Sequence, residues 1–280
     1  MQRAIEHIKA ELNGLYPETE IRSFTNMLIS EITGFTRTEI IVNKNTKFSE
    51  EQVVLLQTFV EKLKKNIPIQ YVLGKSYFMD MQFQVNDAVL IPRPETEELV
   101  EWIANSIPAN SKSSVLDIGT GSGCIAISVK SIFTNAYVTA YDISEKALAV
   151  ATKNAEFNNL TVRFELFDIL NQQDTYQLWD VIVSNPPYIP EKEKTEILAN
   201  VLENEPHLAL FVPDNDPLIF YRKIAQFSQK YLSKSGWLFF EIHRDWGLQT
   251  VDLLLDMDFV DVELRKDLSG NDRMIKARKA

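Results

Sequence analysis

The apolar run from Trp179 to Val183 ends in Ser184-Asn185-Pro186-Pro187-Tyr188, and that ending leaves the chain few ways to continue. A mostly apolar run of this length reads as a buried parallel strand. Proline lacks an N–H and fixes its own φ, so no strand runs through Pro186 and Pro187. A residue that precedes a proline is driven to extended backbone, which holds Asn185 and Pro186 extended. The outcome is a stiff corner at the carboxyl end of a strand, where open α/β sheets bind ligands. There the side-chain carbonyl of Asn185 and the backbone carbonyl of Pro186 can aim at one point. Together they can accept both hydrogens of a planar –NH2 group, with Tyr188 against its plane. A plain proline turn capped by Asn185 is the competing reading.

The flanking pattern fits a sheet of this kind. Val115-Leu116-Asp117-Ile118 predicts a strand, Gly119-Thr120-Gly121-Ser122-Gly123 a turn, and Ile125 to Phe133 a helix. Glycines let backbone approach a ligand closely, and the N-terminus of the next helix presents free N–H groups. The spacing is Gly-x-Gly-x-Gly, and Cys124 stands where the last glycine of a dinucleotide fingerprint belongs. Ala136 to Tyr141 is the next strand, and Asp142 at its tip can accept both ribose hydroxyls of a nucleoside. A helix starts at Ser144. Val162 to Phe167 is a third strand, ending at Asp168-Ile169, where a carboxylate can accept from the amine of an adenine; a solvated loop acid is the alternative. After the Asn-Pro-Pro-Tyr corner come a charged stretch from Glu191 to Glu205 and a helix from Pro217 to Leu232. A strand from Trp237 to Ile242, a helix from Gly247 to Leu255, and strands Phe259–Leu264 and Arg273–Ala277 follow. Strands alternating with helices, finished by an antiparallel pair, predict a mostly parallel sheet with helices on both faces.

The first 74 residues predict a helical domain without a catalytic constellation. Apolar residues recur at helical spacing over Ile5–Leu15, Ile21–Ile32 and Val53–Leu63, and Ser49 with Gln52 forms a capping-box signature. Residues 75–92 predict a β-hairpin or short strands that link two domains, including Val89-Leu90-Ile91. Pro94 suits the first position of a helix, and Arg93 between two prolines reads as a salt-bridging residue rather than a catalyst. His243 reads as a packing or loop residue, Cys124 as a small packed one, and Ser122 lacks the strand-elbow context of a hydrolase nucleophile.

A single cysteine among 280 residues excludes an intrachain disulfide, fits a reducing cytoplasm, and leaves no cysteine–histidine cluster for zinc. Charged residues near the amino terminus disfavour a signal peptide, and no uncharged apolar run approaches the roughly 18 residues of a membrane helix. The net charge of −10 argues against a long nucleic-acid footprint.

Val115 to Gly123 resembles the nucleotide loop of S-adenosylmethionine-dependent methyltransferases. Asn185-Pro186-Pro187-Tyr188 resembles the target-amine motif of those that methylate nitrogen in planar amides or amines. Over most of its length the chain resembles the peptide-chain-release-factor glutamine N5-methyltransferase family. The further matches are residues 68–74 (Pro-Ile-Gln-Tyr-Val-Leu-Gly), 90–97 (Leu-Ile-Pro-Arg-Pro-Glu-Thr-Glu), Asn185 through Ile189-Pro190, Glu205-Pro206 and 267–273.

The resemblance implies an α/β fold: a Rossmann-like class I methyltransferase with a mostly parallel seven-stranded sheet over 93–280, a hairpin linker over 75–92, and a small helical release-factor-recognition domain over 1–74. It implies S-adenosylmethionine as cofactor and S-adenosylhomocysteine as product. Gly119, Thr120, Gly121, Ser122, Gly123, Asp142, Asp168, Ile169 and Asn185 would hold the cofactor, and Asn185, Pro186, Pro187 and Tyr188 would form the catalytic corner, with no metal. The substrate it implies is the glutamine of the Gly-Gly-Gln loop of class 1 release factors, in support of translation termination. A cytoplasmic monomer without direct nucleic-acid or membrane partners is expected. One departure is His243-Arg244-Asp245-Trp246 before Gly247, where a small residue and a glutamine are expected. Methylation of adenine N6 or guanine N2 in nucleic acid is the alternative enzymatic reading. A cofactor-binding module without activity is the alternative of another class; a nicotinamide dehydrogenase would leave Asn-Pro-Pro-Tyr without a role.

Overall fold

Local signals start and stop the first helices of the computed structural model, which describes residues 1–108, 112–171, 175 and 177–280. Helix α1 (Gln2–Leu12) is followed by α2 (Glu18–Thr33), which begins after Pro17 and ends at Gly34, where φ is 71°. That left-handed turn is one a β-carbon would strain. Helices α3 (Arg37–Val42) and α4 (Glu50–Lys64) each open with a complete capping box, Thr36 with Glu39 and Ser49 with Gln52. Helix α5 (Ile69–Leu73) ends at Gly74. The sequence pattern predicted α1, α2 and α4; α3 and α5 span six and five residues, too few for an apolar period to emerge. Ile8, Leu12, Leu28, Ile29, Leu56, Val60 and Leu63 meet in one core, each contributing roughly 1.5–3 kcal/mol of burial.

Two short strands follow, β1 (Lys75–Phe78) and β2 (Met81–Gln84), joined through Met79 and Asp80, both at positive φ. Val89-Leu90-Ile91, expected as strand, is loop instead; Val89 and Ile91 are buried, so their apolar character serves packing rather than pairing. Helix α6 (Pro94–Ser106) has Pro94 at its first turn. Then come β3 (Ser114–Ile118), α7 (Cys124–Ile132), β4 (Tyr137–Asp142), α8 (Glu145–Phe157), β5 (Arg163–Leu166) and β6 (Trp179–Ser184).

After β7 (Ile189–Pro190) the charged stretch forms a 3-10 turn at Glu191–Glu196 and α9 (Ala199–Asn204), and β8 (Phe211–Val212) pairs with β7. Helix α10 (Ile219–Tyr231), β9 (Leu232–Glu241), α11 (Gly247–Asp256), β10 (Phe259–Lys266) and β11 (Asp272–Lys279) complete the chain. Strand β9 starts at Leu232, five residues before the expected Trp237, because Leu232 already pairs with Trp179; the register then shifts before pairing resumes at Trp237 opposite Val181.

The chain divides into two compact units, Met1–Lys75 with Leu198–Asn204, and Ser76–Ile197 with Glu205–Ala280. The grouping of 198–204 with the first unit had no local sequence signal. The second unit holds a seven-stranded sheet in the order β10-β11-β9-β6-β3-β4-β5. Strands β9, β6, β3, β4 and β5 are parallel, and β11 runs antiparallel to both its neighbours. Alternation divides the side chains: Val115, Val181, Val183 and Phe239 pack with α6 and α7, while Leu116, Ile118, Ile182 and Phe240 pack with α10. From β3 the chain moves outward to β4 and β5, then returns to β6 on the other side. The strand order therefore reverses between β3 and β6. Crevices at such reversals hold ligands in open α/β sheets. Among the described residues no helix is long and apolar enough to cross a membrane, and no cluster of His, Cys, Asp and Glu is arranged to hold a metal.

Candidate active site

Register brings the two sequence motifs together. Ile118 at the end of β3 pairs with Ser184 at the end of β6, and the Ser184 hydroxyl donates to the Ile118 carbonyl at 2.6 Å. The glycine turn and Asn185 therefore leave the sheet side by side. Between them lies a cavity of about 190 Å³ whose walls include Gly119, Thr120, Gly121, Ser122, Asp142, Asp168, Ile169, Asn185, Pro186 and Pro187. Two of the expected site residues, Gly123 and Tyr188, are not part of those walls.

The turn is tied at several points. Gly119 and Thr120 N–H groups donate to the Tyr141 carbonyl at 2.9 and 3.0 Å, and the Gly121 N–H donates to Asp142 Oδ2 at 2.9 Å. Asp142 Oδ1 accepts from the Ser144 N–H at 2.9 Å, so one carboxylate staples the loop to the start of α8. Burial raises the Asp142 pKa, opposed by its backbone donors. Gly123 caps α7 at φ 82°, and a β-carbon there would lie 2.9 Å from Ile127 Cδ1. Its role is close packing of helix on turn. At Gly119 and Gly121 a β-carbon would meet nothing within 4 Å; open space lies over both.

Behind the loop, Asp117 is wholly buried; its Oδ2 accepts from the Thr120 hydroxyl at 2.6 Å, and Oδ1 has no partner. Desolvation pushes its pKa up to about 7. The buried Ser122 hydroxyl also lacks a partner. Cys124 is buried and its thiol is pushed up to about 12 by desolvation, which makes it a packing residue. Asp168 accepts from the Leu170 N–H at 2.9 Å and the Asn171 side-chain amide at 2.8 Å, with buried Ile169 beside it.

The proline corner is held from behind. Asn185 Nδ2 donates to Thr96 Oγ1 at 3.3 Å, and Thr96 Oγ1 donates to Glu241 Oε2 at 2.6 Å. Tyr188 does not lie on the cavity wall as expected; its hydroxyl donates to Glu241 Oε1 at 3.3 Å, and its ring meets His243 edge-on at 5.9 Å. Burial raises the Glu241 pKa, opposed by the Thr96 hydrogen bond and the Arg273 charge. Arg93 lines the cavity and pairs with buried Glu205 at 2.6 Å, in keeping with a salt-bridging residue; the Ile91 N–H reaches the same carboxylate. His243, in the departing segment, is buried with Nε2 3.2 Å from Glu193.

Sequence reasoning missed Thr96, Glu241 and the wall formed by Ala88, Val89 and Leu90. A signal existed for Glu241: it ends an apolar strand beside β6, as Asp142 ends β4 and Asp168 comes just after β5.

A parallel sheet with this reversal, a glycine turn after its first strand and an acidic residue closing its second is the architecture of a class I methyltransferase. The "Methyltransferase small domain" model matches residues 96–209, and the "PrmC N-terminal domain" model matches 3–74. A crystal structure of a methyltransferase from Pyrococcus furiosus shares the fold, with a TM-score of 0.54 at 17% identity over 83% of this chain and 100% of that one. The release factor glutamine methyltransferase of Flavobacterium psychrophilum is 47% identical over 268 residues, 95% of this chain and 94% of its own. That of Bacteroides thetaiotaomicron is 41% identical over 100% of both. The chain belongs to the release factor glutamine methyltransferase family, and it is an enzyme of that class.

Proposed function

We propose that this enzyme transfers the methyl group of S-adenosylmethionine to the side-chain amide nitrogen of the glutamine in the Gly-Gly-Gln loop of class 1 release factors. The observation that carries the reading is the Ile118–Ser184 pairing, which sets the glycine turn and the Asn-Pro corner around one cavity.

The residues present fit the cofactor. Open space over Gly119 and Gly121 gives it room, and the unpaired Ser122 hydroxyl is a buried polar group that a ligand can satisfy. Asp142 keeps further lone pairs for ribose hydroxyls. Asp168 and Ile169 address the adenine. When bound, S-adenosylmethionine supplies an electrophilic methyl carbon on its sulfonium sulfur.

Asn185 Oδ1 and the Pro186 carbonyl orient the glutamine –NH2 by accepting its two hydrogens. An amide nitrogen is a weak nucleophile because its lone pair is delocalised. Acceptors on both hydrogens favour the geometry in which that lone pair is freed. Their pull grows as positive charge develops on nitrogen, so it acts more on the transition state than on the ground state. The new N–C bond forms as the S–C bond breaks, leaving S-adenosylhomocysteine, and the extra amide proton passes to solvent. Residues 1–74 help dock the release factor, and the reaction takes place in the cytoplasm.

Transfer of labelled methyl to a purified release factor tests the reading. Label is expected on the wild-type factor and absent from its Gln→Ala variant and from a nucleic-acid control. Label on nucleic acid alone overturns it in favour of a base methyltransferase.

A further inference from the structure

We propose that Thr96 and Glu241 are positioning residues that determine which end of the Asn185 amide faces the cavity. The inference rests on the glutamine reading above and concerns how the acceptor at that site keeps its polarity.

The two ends of an Asn side chain have nearly the same shape and opposite hydrogen-bonding character. If the amide turned over, its NH2 would face the substrate NH2, donor against donor, and the corner would hold the substrate nitrogen through Pro186 alone. Proline geometry fixes the backbone of this corner but leaves the Asn185 side-chain torsion free. Some other element must choose its orientation.

The hydroxyl of Thr96 supplies that choice. It has one hydrogen, and that hydrogen goes to Glu241 Oε2 at 2.6 Å. An ionised carboxylate only accepts, so the direction of this bond is not reversible while Glu241 is charged. Thr96 Oγ1 is left as an acceptor toward Asn185, and only the NH2 end of the amide satisfies it, at 3.3 Å. Oδ1 is thereby turned away from Thr96.

Each member of the relay is held. Thr96 lies in the first turn of α6, with its N–H bonded to the Arg93 carbonyl, and is 2% exposed. Glu241 ends β9, is 1% exposed, and spends its second oxygen on the Tyr188 hydroxyl. Tyr188 thus supports the corner from behind through the same carboxylate. Desolvation raises the Glu241 pKa, and the hydrogen bonds from Thr96 and Tyr188 and the Arg273 charge act against that rise.

The test uses the full chain with Thr96→Val, Thr96→Ser and Glu241→Gln, measuring kcat on a release factor and calorimetric affinity for S-adenosylmethionine. Valine keeps the shape of threonine without the hydroxyl, so the Asn185 amide is free to turn. Thr96→Val is expected to lower kcat roughly 10- to 100-fold with cofactor affinity held within about twofold, and Thr96→Ser to recover most of the rate. Glu241→Gln introduces a donor that can reverse the Thr96 hydroxyl, and kcat is expected to fall with cofactor affinity again retained. Wild-type kcat in Thr96→Val overturns the proposal, as does a serine variant no better than valine. If Thr96→Val does not fold, Glu241→Gln decides, and full kcat in that variant overturns the proposal. A wild-type enzyme inactive on release factor is a separate result, which removes the glutamine reading itself.

Discussion

The helical first unit and the carboxyl edge of the large sheet handle polar groups in opposite ways. Among the described residues the first unit buries one polar side chain, Thr25, whose hydroxyl is satisfied by the Ile21 carbonyl one turn back. Its other polar devices, the Thr36–Glu39 and Ser49–Gln52 capping boxes, sit at exposed helix ends. The sheet edge buries Asp117, Ser122, Thr96, Glu205 and Glu241, and leaves Asp117 Oδ1 and the Ser122 hydroxyl without partners. Burying such groups is costly, and a region that carries several of them around one cavity owes its form to chemistry rather than to stability. The contrast separates what holds this protein together from what makes it act.

The strongest attempt to break that contrast is Leu28→Ala, in the centre of the helical core. A fully buried leucine lost there is expected to destabilise by about 2–5 kcal/mol, read by denaturant unfolding, while affinity for S-adenosylmethionine is unchanged. Loss of cofactor binding at temperatures where the variant is folded would erase the distinction. Asn185→Ala is the converse: kcat is expected to fall roughly 100- to 1000-fold, like the loss of one preorganised polar contact elsewhere, with cofactor affinity largely kept. Should binding collapse while kcat holds, Asn185 serves the cofactor rather than the amide.

Asp142→Ala sharpens the division within the site. Cofactor affinity is expected to drop about 10- to 100-fold by titration calorimetry, because both the ribose acceptor and the Gly121 tether are lost, with kcat at saturation near wild type. A change in kcat alone would contradict the role given to it. The smallest effect is expected from Ser49→Ala, about 1 kcal/mol of stability from the lost cap of α4, seen as a lower melting temperature with unaltered kinetics.

Much of the fold was legible because it is written locally. Pro17 and Gly34 bracket α2, Ser49 and Gln52 start α4, and Pro94 starts α6, each through torsion limits or a hydrogen bond within a few residues. The Asn185-Pro186-Pro187 corner and the 119–123 turn were recognisable for the same reason, and both stand at one cavity. Tyr188 was legible as part of a motif but not in its placement, since its hydroxyl answers to Glu241, 53 residues further along.

By itself the sequence determined where strands must stop, which turns need glycine, and that strands alternating with helices follow a helical first unit. These follow from sterics and short-range periodicity. Only the tertiary structure decided that Ile118 and Ser184 end in register, that Val89 to Ile91 is a loop, that 198–204 groups with the first unit, and that Thr96 and Glu241 stand behind Asn185. Those facts depend on which distant segments pair and pack. A local pattern carries no information about a partner 89 residues away, as Thr96 is from Asn185.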